Sequence, residues 1–446
     1  MAIKTRGAGG RTGKILGAGL RTLGRSVLNK LPGGDRLERT AIYWAEVGED
    51  WAQTLGELRG AAMKMGQLAS QYADVLPPQL GEQLKKLQRS VEPLPFADIA
   101  PLLDAQWTAA QRKRVRSVEA QAIAAASIGQ VHRAVLSNGA PVVIKVRYPG
   151  VVDAVDADVA QLKRLIGLSK LLPVDGSAID TLMAEVRDRF REETDYAAEL
   201  GHLQHLRRHA KLAGIVYPKP VEALCADGIL VLSEEAGATL EIAKSWPQEV
   251  RDALGLALSR WALHQLFVAL AVHADPHPGN FAFRPTGELV VYDFGCVKRL
   301  SRPVADRVVA LLNAAHASHW DELHGHLTAL GGISDGVTTE QLTAFYRELA
   351  ELILGRLAEA ETFDFDDTRF ITDIRGAIKR NLGLSFKFKP VSDLLFVLRA
   401  LSGHYWILRA LRARVPVIAI LAPHGVQLRP GLRPAGVQDD DPKKSS

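Results

Sequence analysis

The chain has little cysteine, only Cys225 and Cys296 among 446 residues. Two thiols give neither a disulfide framework nor a cysteine metal cluster, and they point to a reducing compartment. Cys296 reads as a small packing residue rather than a redox group. No apolar run reaches the roughly 20 unbroken residues of a membrane-spanning helix. The most apolar stretch, Ala253–Ala274, is interrupted by Ser259, Arg260, His264 and Gln265, and reads as a buried helix. VPVIAILAP near the C-terminus is too short to span. No internal repeat is evident. The first 34 residues lack acid altogether but carry Lys4, Arg6, Arg11, Lys14, Arg21, Arg25 and Lys30. With Ile15, Leu16, Leu20, Leu23, Val27 and Leu28 as an apolar stripe, the segment suits an anionic membrane surface. An organelle transit peptide and a solvated tail are the other readings. GAGGRTGKI (7–15) falls short of a phosphate-binding loop: Ala8 and Ile15 break the pattern, and no strand precedes it. The length exceeds one ordinary domain. The 47% apolar content allows a sizeable core, and the net charge of +5 points weakly to anionic partners.

Two loops stand at protein-kinase spacing. HADPHPGN runs from His273 to Asn280, and YDFG from Tyr292 to Gly295. Protein kinases place an Asp beside the attacking group, then an Asn and a DFG Asp on Mg²⁺. Asp275, Asn280 and Asp293 fit those roles. A lone DFG is weak, but Asp-x₄-Asn followed by a strand-like VVYD and DFG is a much stronger signal. His273, Asp275 and His277 alternate, yet nothing nearby supplies further ligands for zinc. His273 instead reads as a packing residue that orients the loop.

Helical periodicity runs from about Arg39 to Ser90 and breaks at Pro77-Pro78. From about Val118, VEAQAIAAAS, IGQVHRAVL and PVVIKVRYPG read as three strands, with a hairpin turn at Ser137-Asn138-Gly139. Helical stretches follow over about Asp153–Leu172 and Ile179–Leu212. YPKPVEAL and GILVLSEE read as strands ending at a hinge near Ser233–Gly237. Beyond about Pro247 the chain reads as mostly helical to about Arg414, apart from the two loops. The expected fold class is α+β, a protein-kinase-like two-lobed fold with a helical N-terminal extension and a mostly helical C-lobe. The expected divisions are a basic segment over 1–38, the extension over 39–117, and an N-lobe with inserted helices over 118–236. The C-lobe follows over 237–430 and a disordered tail over 431–446.

Lys145 lies in the apolar strand VVIKV, where an unpaired cation is costly. Phosphoryl-transfer sites use such a Lys on the α- and β-phosphates and pair it with a helix Glu. Glu192, Glu193, Asp195 and Glu199 compete for that pairing. Where a kinase has its Gly-rich loop, this chain reads AIAAASIGQV, with Gly129 alone. Alanine restricts the backbone more than glycine. By composition Ala124–Ala126 would be a helix fragment, and Ser127 a hydrogen-bond donor or turn cap.

Together these residues closely resemble the UbiB family, atypical kinase-like proteins linked to ubiquinone biosynthesis, over about 42–416. Lys64, Gly66 and Gln67 match its KxGQ motif, and Ala124, Ala125, Ala126 and Ser127 its Ala-rich loop. Lys145 matches the strand Lys, Glu193 and Asp195 the ExD motif, and Glu199 the helix Glu paired with Lys145. DPHPGN and DFG match the catalytic and metal loops. The resemblance implies binding of ATP and Mg²⁺, and phosphoryl transfer or ATP hydrolysis with Asp275 and Lys145 as catalytic groups and Asn280 and Asp293 on the metal. It implies that the extension folds over the active site, with Lys64 near the ExD acids. The implied partners are an isoprenoid-quinone precursor or other lipid-like small molecule, an anionic membrane surface and a lipid-biosynthetic protein complex, with no nucleic acid. The implied location is cytoplasmic, at the inner face of a membrane, with organelle targeting as the alternative. Ala274 replaces the Arg of the kinase HRD triplet and no APE motif follows the DFG, so a phosphorylated activation loop is not expected. The two membrane helices that end some family members are not expected either. A nucleotide-binding scaffold and a conventional protein kinase are the rival functions.

Overall fold

The computed structural model describes residues 93–428, apart from 126–127, most of 153–189 and 390. They divide into two compact units. One holds the chain up to Ala198 together with Lys219–Glu234; the other holds Glu199–Pro218 and the chain from Glu235 onward. The fold is mixed α and β and kinase-like.

The first unit is an antiparallel sheet backed by helix α1 (Phe96–Gln106). Strands β1 (Val115–Ala125), β2 (Gly129–Leu136) and β3 (Pro141–Arg147) follow in sequence. After the two-residue β4 (Ile215–Val216), which belongs to the second unit, β5 (Ile229–Ser233) returns to pair with β3. The β2–β3 turn falls at the expected Ser137-Asn138-Gly139, where Asn138 Oδ1 accepts the Ala140 N–H at 3.0 Å. Strand alternation then sorts the side chains. Val142, Ile144 and Val146 are buried against Ile99, Leu103 and Trp107 of the helical side. Lys145 takes the opposite face, between Val131 and Leu230. The Trp107 indole N–H donates to Leu224 O at 2.8 Å, tying the helix to the loop before β5. YPKPVEAL forms only part of the expected strand: an antiparallel bridge at Pro220–Leu232 joins it to β5, with the Val221 N–H on Val231 O and the Ser233 N–H on Lys219 O. Pro218 and Pro220 have no N–H to extend that ladder, and Glu222–Leu224 forms a 3₁₀ turn.

The predicted helix over 179–212 is interrupted. Asp195 leaves the helical conformation, and α2 (Tyr196–His209) starts afresh after it. The cause is local: Asp195 Oδ1 accepts the Ala198 N–H at 2.8 Å, as an N-cap does.

The second unit is built around α3 (Gln248–His264). Leu254, Leu258 and Trp261 share one buried stripe on it. The helix runs into a π-turn over Gln265–Ala269 that ends at Leu270, which adopts positive φ. Short strands follow: β6 (Ala271–His273), β7 (Phe281–Phe283), β8 (Leu289–Val291) and β9 (Val297–Arg299). Next come α4 (Arg302–His316), α5 (Trp320–Ala329), α6 (Thr339–Ala350), α7 (Arg369–Arg380) and α8 (Ser392–Leu411). Leu266, Val272, Leu342, Tyr346, Val397 and Ile418 belong to one core shared by these helices.

Helix α8 is the long apolar helix of the second unit. Among the described residues, Leu394–Leu411 is long and apolar enough to cross a membrane by length and composition. Arg399, His404 and Arg409 punctuate it, and a third of it (33%) is buried within the protein. His404 packs in the interior, its ring 5.8 Å from Trp261 and 6.1 Å from Phe281.

Burial drives the His404 imidazole down to about 3 from 6.5, with the His273 charge adding to the effect. The unfolded chain therefore takes up this proton first as pH falls. The stability owed to neutral His404 is complete above about 6.5 and is lost below it, at about 1.4 kcal/mol per pH unit for one proton. Urea unfolding at pH 6.5, 5.5 and 4.5 should show His404→Phe losing stability less steeply than the wild type. Parallel slopes would mean that His404 is not held neutral.

Candidate active site

Two short antiparallel ladders bring the catalytic and metal loops together. Strand β6 pairs with β9, setting His273 opposite Val297. Strand β7 pairs with β8, setting Phe281 opposite Val291. The residues just outside each ladder are therefore neighbours. Ala274 N–H donates to Cys296 O at 2.8 Å, and Tyr292 N–H donates to Asn280 O at 2.9 Å. Asn280 and Asp293 are thirteen positions apart in sequence, yet the hairpin returns the chain to the same place.

Asp275 is held from three directions. Asn280 Nδ2 donates to its Oδ2 at 2.8 Å and to its backbone O at 2.9 Å. The His277 N–H donates to the same carbonyl at 2.8 Å. Arg399, from α8, donates to Oδ1 at 3.2 Å. The Asn280 amide nitrogen is thus committed to Asp275, which leaves its amide oxygen as the group to offer a cation. His273 and His277 have other duties than zinc. His273, 1% exposed, meets Asp293 O at 2.7 Å through Nε2. The His277 Nδ1 accepts the Gly279 N–H at 3.1 Å.

The DFG turn is equally determined. Asp293 Oδ1 accepts the Gly295 N–H at 2.8 Å. Phe294 is fully buried, and its carbonyl lies 3.0 Å from His202 Nδ1 of α2. The Tyr292 hydroxyl donates to Glu235 O at 2.5 Å. Among the described residues no group of three or more His, Cys, Asp or Glu could hold a metal by itself. That donor set fits Mg²⁺, which takes one or two protein oxygens and fills its octahedron with phosphate and water. The hard oxygens available are the Asp293 carboxylate and the Asn280 amide.

In the first unit, the Lys145 ammonium lies 5.0 Å from the centre of the Tyr196 ring. Glu199, one turn along α2 from Tyr196, is 2% exposed. Ala124 and Ala125 belong to β1, opposite Val131 and Gln130, and so are strand rather than the helix fragment their composition suggests. Cross-strand pairing outweighs alanine's helix preference here. Ala126 and Ser127 lie outside the described residues, as do Lys64, Gly66 and Gln67. Gly129 is required by close approach: a Cβ there would sit 2.4 Å from Val146 O and 2.7 Å from the Tyr196 hydroxyl. In the ExD segment, Asp195 caps α2, and the Thr194 carbonyl accepts from Arg147 Nη1 at 2.6 Å. Glu193 is partly buried.

Sequence reasoning missed several residues that shape this site. Gln265, 1% exposed in the π-turn, accepts the His273 N–H at 2.7 Å and fixes the start of the catalytic loop. π-turns often mark functional positions, but no residue pattern announces this one. Arg399 lies 124 residues from Asp275 and carries no motif. Gly403, one turn after it, receives Pro276: a Cβ on Gly403 would meet Pro276 Cγ at 2.1 Å.

The ABC1 atypical kinase-like domain matches residues 86–326, more than half of the chain. The rat protein named atypical kinase COQ8B, mitochondrial, is 28% identical over 412 residues, 90% of this chain and 77% of the rat one. Its Saccharomyces cerevisiae counterpart, atypical kinase COQ8, mitochondrial, is 28% identical over 377 residues, 80% of this chain and 72% of the yeast one. Among solved structures, Rv3197 of Mycobacterium tuberculosis, in complex with erythromycin, is 26% identical with a TM-score of 0.59. That match covers 89% of this chain and 99% of the other. With its paired loops and its two-unit α and β fold, the chain belongs to the ABC1 atypical kinase-like family, the kinase-type enzymes of the UbiB kind.

Proposed function

We propose that this enzyme binds ATP with Mg²⁺ and transfers or hydrolyses its terminal phosphoryl group, in support of ubiquinone or other isoprenoid-lipid metabolism. The observation that supports the reading is the Tyr292–Asn280 backbone bond, which brings the start of the DFG turn back beside the catalytic loop. In this reading Asn280 and Asp293 hold Mg²⁺, Lys145 engages the α- and β-phosphates, and Glu199 is the partner that keeps Lys145 charged and oriented. Asp275 accepts the proton of the attacking hydroxyl or water. Ala124 to Ser127 line the phosphates. Bound Mg²⁺ would neutralise charge developing on the phosphates. The metabolic assignment leans on the names of the rat and yeast relatives. Its partners are a quinone precursor or similar lipid-like molecule, a lipid-biosynthetic complex and an anionic membrane surface. The acid-free first 34 residues support the last of these. Lipid extracts of a deletion strain, profiled for quinones and their precursors, test the pathway: an unchanged profile rejects it.

Asp293→Asn replaces the anionic metal ligand with a neutral amide, which hard cations bind less well. Thermal-shift titration should show Mg·ATP affinity falling at least about tenfold, or 1.4 kcal/mol. Retained affinity rejects the metal role.

Lys145→Met and Glu199→Gln should be coupled. A double-mutant cycle read by urea unfolding should give an interaction of about 0.5–3 kcal/mol. Additivity would point to Glu192 or another acid as the partner of Lys145.

Lys64, with Gly66 and Gln67, is proposed to restrain the site through Glu193 and Asp195 rather than to build it. Lys64→Ala should alter nucleotide selectivity or allow self-phosphorylation while Mg·ATP still binds. A loss of binding as complete as that of Asp293→Asn would place Lys64 in the primary site.

A further inference from the structure

We propose that Arg399 is a positioning residue for the catalytic carboxylate, a part that the catalytic loop itself does not supply. The inference rests on the assignment of Asp275 above. Within the loop from His273 to Asn280 there is no Lys or Arg, and Ala274, fully buried, stands where a kinase has its loop arginine. The cation comes instead from α8, and it arrives with a mechanical brace. Arg399 and Gly403 are four residues apart and therefore share one helix face. Arg399 meets Asp275 at 3.2 Å, and Gly403 opens the notch that Pro276 fills. Two consecutive residues of the loop are thus seated on two consecutive turns of one helix. His404, next along α8, packs against Trp261 and Phe281 and anchors the helix to the core beneath the loop.

A purely stabilising role explains this arrangement poorly. The pair is partly solvated, with Arg399 23% and Asp275 40% exposed, and ion pairs of that kind contribute little to stability. Arg399 also leaves its Nη1 buried without a hydrogen-bond partner, which works against stability. What the contact does achieve is orientation. Asn280 holds Oδ2 and Arg399 holds Oδ1, so the carboxylate plane is fixed at both oxygens. An ionised carboxylate offers about four lone-pair sites. Two donors therefore leave capacity to accept a proton from a substrate hydroxyl or water. Arg399 orients Asp275 without blocking it.

Misplacing a reacting group by about an ångström can cost on the order of a hundredfold in rate. The test uses the purified full-length protein with Mg·ATP, following phosphate release for the wild type, Arg399→Ala and Arg399→Lys, together with melting temperature. Hydrogen exchange of the peptide covering 274–283 is measured in parallel. Arg399→Ala should lower kcat by about 10- to 100-fold, leave KM for Mg·ATP within about threefold and barely change melting. Arg399→Lys should recover part of the loss, as should free guanidinium at millimolar concentration added to Arg399→Ala. Exchange in 274–283 should quicken while peptides of α3 and α8 stay as they were. An unchanged or raised kcat, a rise in KM alone, or a kcat loss tracking a general loss of melting temperature each overturns the proposal. If the wild type does not turn over ATP, the proposed function fails separately. The exchange arm then decides the positioning role, and unaltered exchange in 274–283 refutes it.

Discussion

The site depends on a pairing of two hairpin-like ladders, each only three residues long per strand. Everything chemical lies just beyond their ends. The Tyr292 N–H to Asn280 carbonyl bond and the Ala274 N–H to Cys296 carbonyl bond close the two loops on each other. Ladders this short have little stability of their own. They persist because their side chains are among the most deeply buried in the protein: Phe283, Leu289, Val290, Val291 and Phe294 are fully sequestered. Core burial thus fixes the backbone of both loops, and side-chain bonds from Asn280 and Arg399 then orient the Asp275 carboxylate.

What could be read from the sequence was what is local. Asp275, Asn280 and Asp293 announce themselves through spacing, and Lys145 through its position in an alternating strand whose other face is core. The hairpin before Lys145 was equally legible, because turn chemistry acts over four residues. YPKPVEAL shows the limit of composition: it joins β5 through a single bridge at Pro220, because its two prolines lack the donors a longer ladder needs. Ala124 and Ala125 show the reverse: composition alone favours a helix there, and pairing with Val131 and Gln130 decides for the strand that the wider pattern predicts. Arg399, Gly403 and Gln265 were invisible for a different reason. Each acts through a contact made at long range or through a helix irregularity, and neither leaves a trace in neighbouring residue types.

Asp195, one of the acids matched to the ExD motif, has a structural duty. Its carboxylate caps α2 at Ala198, and α2 then presents His202 to the carbonyl of Phe294. Thr194 beside it is tied through its carbonyl to Arg147 on β3. The segment is a splice where a strand, a cap and a helix meet.

The π-turn over Gln265–Ala269 has a consequence for how this chain can vary. A π-turn accommodates one residue more than an α-helical turn would. Deleting one of its five residues and returning to α-helical winding would leave the phase of the flanking chain nearly unchanged, because the wider turn absorbs its additional residue locally. What such a deletion removes is the widening itself, the seat from which Gln265 accepts the His273 N–H. The segment is therefore constrained in length as well as in identity: Leu266, Phe267 and Ala269 need only be apolar, but Gln265 needs the wide turn around it.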